Sequence, residues 1–237
     1  MASETVSHDI PEVPSSQLLP SIEHLVTEDD TPVDNIFSEK QQRLLTEPLY
    51  SSWRPAGEQG KFVALANVGL YYAVNKPPYV PDMLLSLDVE LPAELWPKAN
   101  RSYFVWEYGK LPDVVVEVVS NREGREDSEK LDGYAHIGVP YYVIFDPERL
   151  LSDQPVRAYR REARTYCGMD EPFWLAGVEL GLCLWQGSFE QHEDTWLRWM
   201  DAEGHAIPTG AERAEQERQR ADQLAEQLRQ LGVEPEV

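Results

Sequence analysis

Two apolar runs set the hydropathy pattern of the chain. Residues 112–120, PDVVVEVVS, place valine at 114, 115, 116, 118 and 119 with no polar alternation, which predicts a strand covered on both faces. Residues 141–145, YYVIF, predict a second buried strand, ended by Asp146-Pro147 because proline cannot continue a ladder. Between them a polar turn leads into residues 128–137, where Leu131, Tyr134, Ala135 and Ile137 fall on one side of a helix and Gly138 supplies the stop. Strand, helix and strand within about thirty-five residues make a βαβ-sized unit, so the two strands are expected to be parallel.

The flanking pattern is read in the same way. Residues 34–53 predict a short amphipathic helix carrying Ile36, Phe37, Leu44 and Leu45, with Asp34 as its cap and Pro48 as its stop. Residues 61–74 predict a strand kinked at Asn67 and Gly69, and residues 79–91 a strand that starts after Pro81 and carries Asp82. Residues 102–108, SYFVWEY, predict an aromatic strand closed by a turn at Gly109. Beyond Asp153 the expectation is a hairpin turning within 160–163, then an edge hairpin or strand over 171–184. A last strand follows, turning at Glu203-Gly204. From Ala211 the composition shifts to Glu, Gln, Arg, Ala and Leu. Leu224, Leu228 and Leu231 keep an a/d rhythm there, weakly preceded by Ala214 and Ala221, which predicts an exposed charged helix through which copies could associate. The acidic, Ser- and Pro-containing start reads as a disordered leader. The expected division is leader 1–31, domain 32–209 and helical tail 210–237.

Composition narrows the function classes. A chain of 237 residues with 42% hydrophobic content can bury one substantial core. No apolar run approaches the roughly 18 residues of a membrane span, and the N-terminus lacks the basic and apolar regions of a signal peptide, so a cytoplasmic protein is expected. Two cysteines, Cys167 and Cys183, are read as reduced. The five histidines stand far apart, which argues against a histidine-rich metal site. The net charge of −21 is uneven: residues 1–40 carry nine acids against one base, whereas residues 41–110 balance at seven each. Such acidity works against non-specific nucleic-acid binding. No P-loop, dinucleotide-binding glycine pattern or nucleophile elbow is present.

Glu117 is the acid that the pattern leaves exposed to question. A carboxylate among five valines is costly to desolvate unless a metal, a cation or a hydrogen-bond donor meets it. Asp82 is likewise the lone acid at the start of its own strand. If the two strands are neighbours, the carboxylates can share a hard divalent ion such as Mg²⁺, and a nearby lysine can stabilise the charge developing on a phosphate. Other readings stay open at this point. Asp82 can serve as an acid at a strand entrance, Glu117 can be met by an ion pair with Lys130 or an arginine, and Lys130 can be a solvated helix charge. Trp53, Trp106, Tyr141 and Tyr142 read as core rather than as platforms for bases.

The order of Pro81-Asp82, PDVVVEVVS at 112–120, Glu129-Lys130 and GVPYYVIFDP at 138–147 resembles the Uma family of restriction-type endonucleases within the PD-(D/E)xK nuclease superfamily. The resemblance covers roughly residues 34–200, and the charged helical tail fits it too. It implies an α/β, restriction-endonuclease-like fold with a mixed central sheet flanked by helices, and a metal-dependent endonuclease acting on DNA. Asp82 and Glu117 match its metal-binding acids and Lys130 its catalytic lysine, with Mg²⁺, or Mn²⁺ in its place, as the cofactor. The superfamily pattern puts lysine two positions after the second acid, where this chain has Val119; the family takes its lysine from the following helix. An acid or glutamine on the first helix is a further candidate, here Glu39 or Gln42, and Asp113 is a candidate lining residue. The alternative is a nuclease-derived module without activity that associates through its C-terminal helix.

Overall fold

Asn35, whose side chain accepts the Ser38 N–H, caps the first element of the computed structural model, helix α1 (Ile36–Ser52). The structure describes residues 35–55, 60–73, 76–97, 100–121 and 124–231, so the expected leader lies outside it. The cap is one residue beyond the expected Asp34, and Pro48 does not stop the helix but sits inside it. Proline within a helix costs about 3 kcal/mol. The reason the helix continues is packing: Leu44, Leu45 and Leu49 are buried, and each such side chain contributes roughly 1.5–3 kcal/mol when removed from water.

The chain then forms β1 (Phe62–Ala66) and, after a break at Asn67, β2 (Leu70–Tyr71). Asn67 has φ +53, the left-handed conformation that asparagine tolerates, so the expected kink is present. Next come β3 (Met83–Leu87) and β4 (Tyr103–Phe104). The expected aromatic strand over 102–108 is thus only two residues long; Val105–Tyr108 turns into the short helix α2, ended by Gly109 at φ +74. Both Trp106 and Tyr108 keep partial exposure there, so no second face demanded an extended strand.

The βαβ unit is built as the valine pattern predicts. Strand β5 (Val114–Val118), helix α3 (Glu129–Ile137) and strand β6 (Tyr141–Phe145) follow in order, β5 and β6 pair in parallel, and every residue of both strands is buried. Strands β7 (Val156–Glu162) and β8 (Thr165–Gly168) form the expected hairpin. They complete a six-stranded mixed sheet in the order β1-β3-β5-β6-β7-β8. Strands β9 (Phe173–Leu175), β10 (Leu180–Phe189) and β11 (His192–Met200) make a second, antiparallel sheet. This mixed sheet with flanking helices is the restriction-endonuclease-like fold.

One hydrophobic cluster joins Val114, Val116, Val118, Val143 and Phe145 to Leu45 and Leu49 of α1 and to Leu197 and Trp199 of β11. The other joins Val115, Val119, Tyr142 and Ile144 to Tyr134 of α3. The two faces of the sheet therefore carry separate cores, and Glu117 points to the second. The tail is helix α4 (Gly210–Gln230), capped by a reciprocal Thr209–Glu212 capping box and fixed at its base by Arg198, which pairs with Glu212 at 2.6 Å. Leu224 and Leu228 on it and Leu231 at its C-cap are exposed. Among the described residues no helix is long and apolar enough to cross a membrane.

Candidate active site

The site lies where the β3–β5 ladder ends. Met83 pairs with Val116 in antiparallel register, so the next residues outward, Asp82 and Glu117, stand opposite each other. With period-two alternation they share the face of Leu84 and Val115, the face that α3 covers. Past Val116 strand β3 no longer supplies acceptors to β5. The Val118 N–H instead donates to Asp82 Oδ2 at 2.7 Å. Gln42 Nε2, from α1, donates to Asp82 Oδ1 at 2.8 Å, and the Asn67 N–H donates to the Asp82 carbonyl at 3.2 Å.

Glu117 is 1% exposed. Lys130 Nζ donates to its Oε2 at 3.0 Å and the Tyr134 hydroxyl to its Oε1 at 2.8 Å. Burial pushes the Glu117 carboxyl up to about 8; Lys130 and Tyr134 oppose that rise, and the charge of Asp82 adds to it. Burial alone would lower the Lys130 ammonium, but Glu117 and Glu126 together carry it above the ordinary lysine range, so Lys130 stays charged. Its second partner is Glu126 Oε1 at 3.2 Å.

Local sequence explains how these groups come together. Glu126, Lys130 and Tyr134 are spaced four apart, which stacks them along one side of the turn leading into α3 and of α3 itself. At Gly133 any Cβ would collide with the Tyr79 hydroxyl, so glycine lets the helix settle onto the Tyr79 ring, which lies 4.7 Å from that of Tyr134.

The three residues expected from the sequence, Asp82, Glu117 and Lys130, are thus neighbours. Of the helix candidates, Gln42 reaches Asp82, whereas Glu39 is turned to an exposed pairing with Arg43. Asp113 ties Lys110 and the Leu87 N–H together at the start of β5. Val119 is buried in the core beneath α3. Tyr134 and Glu126 are site residues the sequence reading left out; their four-residue spacing from Lys130 was the available signal. Trp53, Tyr141 and Tyr142 are core, as expected, but Trp106 is 49% exposed and is not.

The donor set is all oxygen, which suits a hard cation. Among the described residues no group of three or more His, Cys, Asp or Glu is arranged to hold a metal. Two carboxylates do fit Mg²⁺, which ordinarily keeps several waters and takes one or two protein carboxylates beside substrate phosphate.

The profile of the Uma2 family, described as "Putative restriction endonuclease", matches residues 28–173, more than half of the chain and every residue of the site just described. No curated relative and no solved structure matches. Nucleases of the restriction-endonuclease-like class generally use divalent metal ions. With its mixed sheet, its opposed acids and that match, the chain belongs to the Uma2 family.

Proposed function

We propose that this protein is a Mg²⁺-dependent endonuclease that hydrolyses DNA phosphodiester bonds, with Mn²⁺ able to replace Mg²⁺. The family description supports a nuclease. The observation that carries the finer reading is the pair of opposed acids with a lysine ammonium 3.0 Å from one of them. A divalent cation, when bound, polarises the phosphodiester and makes bound water more acidic. Asp82 and Glu117 hold that cation. Gln42 and the Val118 N–H orient Asp82, and Tyr134 orients Glu117. Lys130 stabilises negative charge developing on the phosphate. In this reading the catalytic domain is residues 32–209, and the two free thiols, Cys167 and Cys183, fit a reducing cytoplasmic setting.

Purified protein with Mg²⁺ or Mn²⁺ is expected to nick supercoiled plasmid, and Glu117→Gln to abolish nicking. Equal cleavage by wild type and variant would sink the assignment.

One observation favours a second reading, an inactive module that associates through α4. Both oxygens of Asp82 and both of Glu117 already accept hydrogen bonds from protein groups. That reading predicts no cation uptake in calorimetry, and a dimer in light scattering that Leu224→Glu with Leu228→Glu converts to monomer.

A further inference from the structure

Lys130 stands between two acids, at 3.0 Å from Glu117 Oε2 and 3.2 Å from Glu126 Oε1. The Glu126 side chain is 7% exposed, and its other oxygen, Oε2, is buried without a hydrogen-bond partner. A buried carboxylate oxygen left unmet is costly and calls for an explanation. The Glu126 backbone is pinned, because the Tyr142 hydroxyl donates to its carbonyl at 2.9 Å. An ammonium has three donors, more than this arrangement uses on the acids. Glu126 is not arranged as a third ligand with Asp82 and Glu117, since no three-acid group among the described residues can hold an ion.

We propose that Glu126 is the alternate seat of the Lys130 ammonium, taking it up on both carboxylate oxygens when a cation occupies Asp82 and Glu117. This rests on the metal-dependent reading above. A divalent ion on Glu117 and an ammonium on the same carboxylate repel each other, so Lys130 must leave Glu117 for the ion to enter. Glu126 lets it leave without going to bulk water and keeps it beside the site. Glu126 is thereby a positioning residue that acts through Lys130.

The test is a double-mutant cycle on Mn²⁺ affinity, measured by calorimetry on the full chain: wild type, Glu126→Gln, Lys130→Met and the double variant. Circular dichroism checks that each is folded. Glu126→Gln strands the ammonium on Glu117 and is expected to weaken Mn²⁺ binding about tenfold. Lys130→Met removes the competitor and should bind at least as tightly as wild type. In the Lys130→Met background the Glu126→Gln effect should shrink to about threefold or less, the coupling a shared partner produces. A tenfold loss in both backgrounds would make Glu126 a direct ligand and overturn the proposal, as would no loss in either. Silence from wild type and all variants would instead overturn the metal-dependent reading itself. Conversion of Glu126→Asp, which keeps the charge, is expected to recover part of the lost affinity; a variant as weak as Glu126→Gln counts against the seat.

Discussion

With 1% of its surface exposed and the Asp82 charge opposite, the Glu117 carboxyl is carried up to about 8, against an ordinary value of 4.5. An acid whose folded value is raised contributes its full stability below pH 4.5 and loses it as pH climbs through 8. The metal-free protein should therefore lose stability across that window with a slope of at most about 1.4 kcal/mol per pH unit from this group. Urea denaturation at pH 5.5, 7 and 8.5 checks it: Glu117→Gln should flatten the slope and be the more stable protein at pH 8.5. A variant that is inactive yet more stable is what a site held against its own desolvation cost produces. Asp82 and Glu117 were legible in the sequence because each acid sits directly against an apolar run, Asp82 before MLLSL and Glu117 among valines. Tyr134 and Glu126 were not, because a tyrosine and an acid on a mixed helix look like core and surface until the strand beneath them is known.

The β5–α3–β6 unit was legible for a related reason: strands buried on both faces need no alternation, and the glycine after α3 marks its end. Non-local features were harder. That β3 lies beside β5 follows from antiparallel pairing across a long connection, which no local pattern encodes, and Pro48 stays in α1 because burial of Leu44, Leu45 and Leu49 outweighs a local preference. The expected strand at 102–108 stops at Tyr103–Phe104, which pair with β2, because Trp106 and Tyr108 beyond them keep partial exposure and turn into α2. At the scale of α3, Gly133 sets how closely the helix approaches the Tyr79 side chain. Gly133→Ala gains helix propensity but collides with the Tyr79 hydroxyl, so a net loss of about 1–3 kcal/mol is expected. Displacing α3 also moves Lys130 and Tyr134, so thermal melting and plasmid nicking should fall together; a variant more stable than wild type would show that the contact yields freely.

Across the whole molecule the charge of −21 opposes a DNA substrate. For a basic protein, salt weakens binding through counterion release. Here screening removes repulsion, so raising monovalent salt from about 20 to 150 mM should strengthen DNA binding by the Glu117→Gln variant, measured by fluorescence anisotropy. A steep decline with salt would reveal a basic surface dominating the encounter. The molecule's architecture also separates its two acids in what they owe to chemistry. Asp82 accepts the Val118 N–H where β3 ceases to pair with β5, so it closes a gap in the ladder whether or not any reaction occurs. Glu117 fills no gap in the ladder: what it meets is the Lys130 ammonium and the Tyr134 hydroxyl, and only replacing all three together by apolar residues would leave the sheet as stable. On the nuclease reading proposed above, a descendant of this chain released from catalysis would lose Glu117 together with Lys130 and keep Asp82. In comparing such descendants, the aspartate records the fold's inheritance, and the glutamate with its lysine records whether the proposed chemistry is still under selection.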